Sequence, residues 1–200
     1  AWKPGKSFWW LAAVLALAAA LRLVAIYYGL PAVFNSDEPF VVDVAVSFGA
    51  GTLNPLLFKY PTLWMYLLFA SYGVYFLLWS GLGLLRTVRQ FGQLFAWHPG
   101  GFFLIGRLLA AAVSLLGCER VYRTGKLLWG DRAGLLAAAF LAVSPALVLS
   151  SHSVKMDQCV FFLAAWSLWF AVRHLEEGRD RDLLLCGLAA GLSVAAQYPS

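Results

Sequence analysis

Apolar residues in this chain do not alternate in short amphipathic stripes. They run in long blocks, at about 8–30, 61–85, 102–123, 132–150, 154–174 and 183–197, separated by brief polar clusters. Blocks of about 20 apolar residues are long enough to cross a bilayer as helices, which satisfy their own backbone hydrogen bonds. The pattern predicts an all-α fold, a polytopic transmembrane helix bundle. The first block is too long for the apolar core of a cleavable signal, and no small-residue cleavage site follows it.

Charge then selects among topologies. The 61–85 block is the longest uncharged run, and hydropathy alone makes it a span. Suppose that it stays on the outer side and that the N-terminus faces the cytoplasm. Lys3, Lys6, Arg120, Arg123, Lys126, Arg132, Arg173, Arg179 and Arg181 then lie inside, nine against five outside: Lys59, Arg86, Arg89, Arg107 and Lys155. A crossing by 61–85 inverts every later loop and leaves six inside and eight outside, against the positive-inside tendency. The expected arrangement is a single module, 1–200, with spans at about 8–30, 102–123, 132–150, 154–174 and 183–197. An outer loop of about 31–101 carries an apolar helix that lies in the interface or re-enters the membrane. The chain starts with Ala and stops just after an apolar run, so it is expected to be the N-terminal part of a longer module.

Composition agrees with this picture: 62% of residues are hydrophobic, 12% are charged, and the mean hydropathy is +0.74. The net charge of +5 comes from basic residues scattered between apolar blocks. They form no stripe, so a nucleic-acid partner is excluded and membrane orientation accounts for them. Cys118, Cys159 and Cys186 have neither CxxC nor metal-ligand spacing and read as small buried hydrophobes.

Candidate chemistry concentrates in two outer loops. The first contains FNSDEPF, with Asp37 and Glu38 adjacent just beyond the first block. These acids either open a helix, Asn35, Ser36 and Asp37 standing before Pro39, or one serves as a base while the other orients a partner or binds a cation. The second loop, LSSHSVKMDQ, holds His152, Lys155 and Asp157; His152 and Asp157 can equally cap or begin the next helix. Lys59 in FKYP, Arg107 in LIGRLLA and Arg22 in the first block abut apolar runs, where a cation either snorkels or meets an anion. Together they can hold the phosphate of a lipid-linked donor while the carboxylates serve an acceptor. No GxGxxG or GxxxxGK[ST] loop occurs, so nothing points to a nucleotide.

The order of these elements resembles the N-terminal half of the membrane module of GT-C glycosyltransferases. These elements are Arg22 late in the first block, the Asp37-Glu38 pair, the Lys59-Tyr60-Pro61 turn, the GRLLAA opening at Arg107, a short basic turn and the HSVKMD loop. Within that superfamily the protein O-mannosyltransferase and aminoarabinose transferase relatives are most similar. The resemblance implies inverting transfer of a sugar from a polyprenyl-phosphate donor to a protein, lipid or glycan acceptor. It also implies a multi-pass protein of a bacterial or archaeal plasma membrane, with its site outside the cytoplasm. Asp37 then matches the first-loop catalytic acid, with Glu38 beside it, and Asp157 matches the second-loop acid with His152 as its companion. Arg107 would touch the donor phosphate. Lys59 matches a lysine of the aminoarabinose transferases, where Phe58 replaces their preceding glutamate; a divalent cation stays possible without that ligand. A transporter or channel component, with Arg22 and the carboxylates lining a pathway, is the main rival reading. A noncatalytic assembly factor on the same scaffold is a third.

Overall fold

The structure, a computed structural model, describes residues 4–32, 35–56 and 59–197. Lys3, Phe34 and Phe58 lie outside the described residues. Helices make up the fold and no strand occurs among the described residues, as the block pattern predicts. In chain order they are α1 (Pro4–Leu23), α2 (Asp37–Ser47), α3 (Leu63–Gly81), α4 (Val88–Trp97), α5 (Gly100–Trp129), α6 (Asp131–Ala142), α7 (Pro145–Ser151), α8 (Asp157–Glu177) and α9 (Asp180–Ala196). A short 3₁₀ turn, Phe48–Ala50, follows α2.

Among the described residues, three helices are long and apolar enough to cross a membrane: Leu63–Gly81, Gly100–Trp129 and Asp157–Glu177. The α6–α7 pair adds a fourth candidate, bent by 55°. Large apolar side chains point outward along the bundle, including Phe140 on α6, Leu168 on α8 and Leu184 and Leu188 on α9. A soluble domain would bury such a belt, whereas lipid solvates it.

Several boundaries differ from the apolar blocks. The first helix ends at Leu23, and 24–29 form turns in which Ala25 takes φ +59°, so Arg22 stands in the last turn of α1 and not two turns inside a span. α5 has 30 residues, about 45 Å at 1.5 Å per residue, and so outruns a hydrocarbon core of about 30 Å. Its last turns absorb the basic cluster expected in a loop. Arg123 pairs with Glu119 one turn earlier, and Arg120 and Arg173 stack on Trp169 of α8 at 4.8 and 4.7 Å. The 132–150 block is two helices. Pro145 has no N–H for the preceding turn, and Ser144 before it is extended at ψ +117°.

The ends of the bundle identify its direction. At one end, Ser7 of α1 and Tyr122 of α5 donate to the Asp131 carboxylate at the start of α6, and Lys126 pairs with it at 2.9 Å. At the other end, Arg107 near the start of α5 donates to the carbonyls of Ile26 and Tyr28, just past α1. The 24–99 segment therefore leaves and re-enters at the same end, which requires an even number of crossings. α3 is long enough to span, but α4 has ten residues, about 15 Å, and is too short to return.

A large buried apolar cluster lies at that same end. Phe102 in the first turn of α5 meets Tyr72 and Tyr75 of α3 and Phe91 and Phe95 of α4 at ring separations of 4.9–5.5 Å. The α4 start is fixed by a capping box: Thr87 accepts from the Gln90 amide, and the Gln90 side chain accepts from the Thr87 amide. Val41, Val42, Trp64, Met65, Leu68 and Val154 are fully or almost fully buried in the same cluster. α2, α3 and α4 thus pack together at the start of α5, and these contacts set the position of α2.

Candidate active site

Glu38 is the second residue of α2 and is 1% exposed, which an isolated carboxylate does not tolerate. Its counter-charge is Arg107. The guanidinium Nε donates to Oε1 at 3.1 Å and Nη2 to Oε2 at 3.0 Å, a bidentate pair with both side chains at most 5% exposed. Oε1 also accepts the backbone N–H of Val154 at 2.7 Å. Glu38 therefore ties three elements: its own helix, α5, and the loop between α7 and α8. Gly106 makes the third approach possible, because a Cβ there would stand 2.5 Å from Val154 Cγ1.

That clasp aims the neighbouring residue. Asp37, the first residue of α2, has a side chain 35% exposed. Lys155 Nζ lies 3.3 Å from its Oδ2, Lys59 Nζ lies 3.8 Å from Oδ1, and the Tyr60 hydroxyl donates to Oδ1 at 3.4 Å. Lys59 is itself stationed over the Tyr60 ring at 5.0 Å. The backbone amide of Asp37 donates to the Asn35 side chain, so Asn35 caps this helix end and the Ser36 side chain does not. The two outer loops expected to share one face do meet, through Glu38 to Val154 and through Asp37 to Lys155.

The remaining candidates separate. Asp157 is the first residue of α8, half-buried and without an ion pair among the described residues. His152 ends α7, and its Nε2 lies 2.8 Å from the Val24 carbonyl. A carbonyl only accepts, so Nε2 is the donor in this contact. A cavity of about 380 Å³ opens here, lined by Tyr28, Asn35, Glu38, Arg107, His152 and Ser153 among others. Among the described residues, no three His, Cys, Asp or Glu side chains converge to hold a metal. Beside Asp37, positive charge comes from two ammonium groups.

Two cations depart from expectation. Arg22 does not snorkel: it is 0% exposed and donates to Ser114, to the carbonyls of Ala18, Leu141 and Ala142, and to the Cys118 sulfur. Arg107 is 4% exposed, and four of its five donors are taken by Glu38 and two backbone carbonyls. The sequence did not mark Tyr60, whose place in the KYP turn was its one signal, or the Val154 amide, whose role depends on register alone.

Residues 94–200 match the model of the dolichyl-phosphate-mannose-protein mannosyltransferase family. The chain belongs to this family. It is a membrane glycosyltransferase of the GT-C type, which sets the transporter reading aside. No curated protein matches the chain. The matched segment of this mannosyltransferase-family protein contains Arg107, His152, Lys155 and Asp157, while Arg22, Asp37, Glu38 and Lys59 precede it. Contacts join the two sets: Arg107 holds Glu38, and Lys155 holds Asp37.

Proposed function

We propose that this protein transfers a sugar from a polyprenyl-phosphate donor to an acceptor outside the cytoplasm, in one inverting displacement with Asp37 as the base. The observation that carries the reading is the partly exposed Asp37 carboxylate bracketed by Lys59 and Lys155. A carboxylate that bears two ammonium groups in the free protein has ready partners to lend. An incoming donor phosphate draws both lysines, and the oxygens of Asp37 become free to accept the proton of an acceptor hydroxyl. The acceptor oxygen then bonds to the anomeric carbon as the bond to phosphate breaks. The electron pair leaves on polyprenyl phosphate, whose growing charge the lysines neutralise.

In this account Glu38 and Arg107 orient the site and do not touch the reacting atoms. Asp157, two residues from Lys155, serves as the second acid and orients the acceptor. What supports the outer placement is the return of the chain to one end of the bundle between α1 and α5, with α3 read as non-crossing, together with the count of cations. Fourteen of the fifteen Lys and Arg then divide nine inside to five outside, Arg22 being buried in the bundle.

The test is donor class. Purified full-length protein in nanodiscs, given radiolabelled polyprenyl-phosphate mannose and, separately, a nucleotide-linked mannose, is expected to consume the lipid-linked sugar alone. Consumption of the nucleotide sugar, with the lipid-linked one untouched, would remove the reading.

A further inference from the structure

We propose that Arg22 is a positioning residue: it splints the break between α6 and α7 and so sets where the second outer loop stands relative to Asp37. In a straight helix the carbonyls of Leu141 and Ala142 would accept from residues 145 and 146. Pro145 has no N–H, and the 55° bend turns the chain away. Arg22 supplies donors at the break: Nη1 takes the Ala142 carbonyl at 3.0 Å, and Nη2 joins the Ser144 amide on the Leu141 carbonyl at 3.2 Å. Its Nε donates to Ser114 of α5 at 2.9 Å, Nη1 also reaches Ala18 of its own helix, and Nη2 meets the Cys118 sulfur at 3.8 Å.

Each of the five guanidinium donors thus has an acceptor, and no carboxylate is among them. A buried cation persists here because the C-terminal ends of α1 and α6 both present carbonyls to it, and the C-terminal end of a helix carries partial negative charge. Lysine cannot reproduce this fork, since one ammonium is a point charge on a flexible stem.

The far end of α7 is held by the same stretch of chain. His152 donates to the carbonyl of Val24, two residues past Arg22. The seven-residue α7 therefore lies between two held points, the end of α6 on Arg22 and His152 on the Val24 carbonyl, and it leads directly into Val154 and Lys155, which meet Glu38 and Asp37. The consequence for catalysis rests on the proposed transfer reaction; the brace itself does not.

The experiment uses full-length protein in nanodiscs with spin labels, carried by non-canonical amino acids, at exposed Ser36 before α2 and exposed Leu149 on α7. Their separation is read by double electron–electron resonance in the parent, Arg22→Lys and Arg22→Met. A narrow parent distribution that broadens or shifts in both variants is expected. In parallel, kcat should fall about tenfold in Arg22→Lys, with the donor KM within about twofold, because misalignment raises the barrier without removing a donor contact. Parent-like distances in Arg22→Met would overturn the brace, and if that variant does not fold, the same result in Arg22→Lys would do so. A parent protein that transfers no lipid-linked sugar defeats the proposed function, while the distances still judge Arg22.

Discussion

Removing the Glu38 carboxylate strands a buried guanidinium, and the size of that penalty can be worked from the site. Glu38→Gln keeps the shape but loses the charge and places an NH₂ donor where Arg107 also donates. Either Arg107 or the Val154 amide then loses its acceptor. The Arg107 side chain is only 5% exposed, so water replaces the lost acceptor only in part. Breaking a buried ion pair from one side costs about 3–5 kcal/mol. For a chain of 200 residues this is a fall in melting temperature of roughly 10 °C, at about 2–4 °C per kcal/mol. Arg107→Met alone should cost a similar amount by leaving the carboxylate unpaired. The double variant Glu38→Leu with Arg107→Met should recover more than half of the loss, because neither charge then stays buried. Thermal unfolding in one detergent, followed by tryptophan fluorescence, compares Glu38→Gln with the parent, and the parent, Glu38→Leu, Arg107→Met and their double variant complete the cycle. Single variants that melt within about 2 °C of the parent would refute the claim that this pair fastens the two loops together.

Other consequences are equally open to measurement. Lys155→Ala and Lys59→Ala should each raise the donor KM about tenfold while leaving folding intact, since each removes one charge-assisted contact of about 1.4 kcal/mol to the phosphate; unchanged donor affinity in the double variant would take the phosphate away from these lysines. Gly106→Ala should lower stability by about 1–3 kcal/mol in thermal unfolding, because its Cβ would stand 2.5 Å from Val154 Cγ1, and a neutral result would show that the loop yields freely. Single cysteine reporters at exposed Asn54 and Arg86, on either side of α3, should both be labelled from outside intact cells, with exposed Glu176 protected. Labelling of Asn54 and Arg86 from opposite sides would make α3 a span.

How much of this was legible in the sequence follows from what each signal measures. Hydropathy reports transfer into lipid, so it located the apolar helices and, with the count of cations, favoured a return of the chain to the same end before α5. It does not report where a helix stops. α5 continues through Glu119, Arg120 and Arg123 because these residues are good helix formers that also pair with one another, yet a polar cluster reads as a loop. The break at Pro145 lies within an apolar window and is averaged away, although the Ser-Pro step was there to be read. Asp37 and Glu38 stood out as a pair, but their different environments depend on α2 turning one toward Arg107, 69 residues on, and the other toward Lys155. Arg22 was visible as a cation in an apolar block. Its partners, the carbonyls of Leu141 and Ala142, have no sequence signature at all.

The most direct test of the central claim is the rate of sugar transfer from polyprenyl-phosphate mannose by Asp37→Asn, measured beside the parent with donor binding and melting temperature followed on the same preparations. Loss of a general base predicts a kcat lower by about 10²–10⁴, with the protein folded and the donor still bound. Transfer at the parent rate would contradict the account, since Asp37 would then have no part in the reaction.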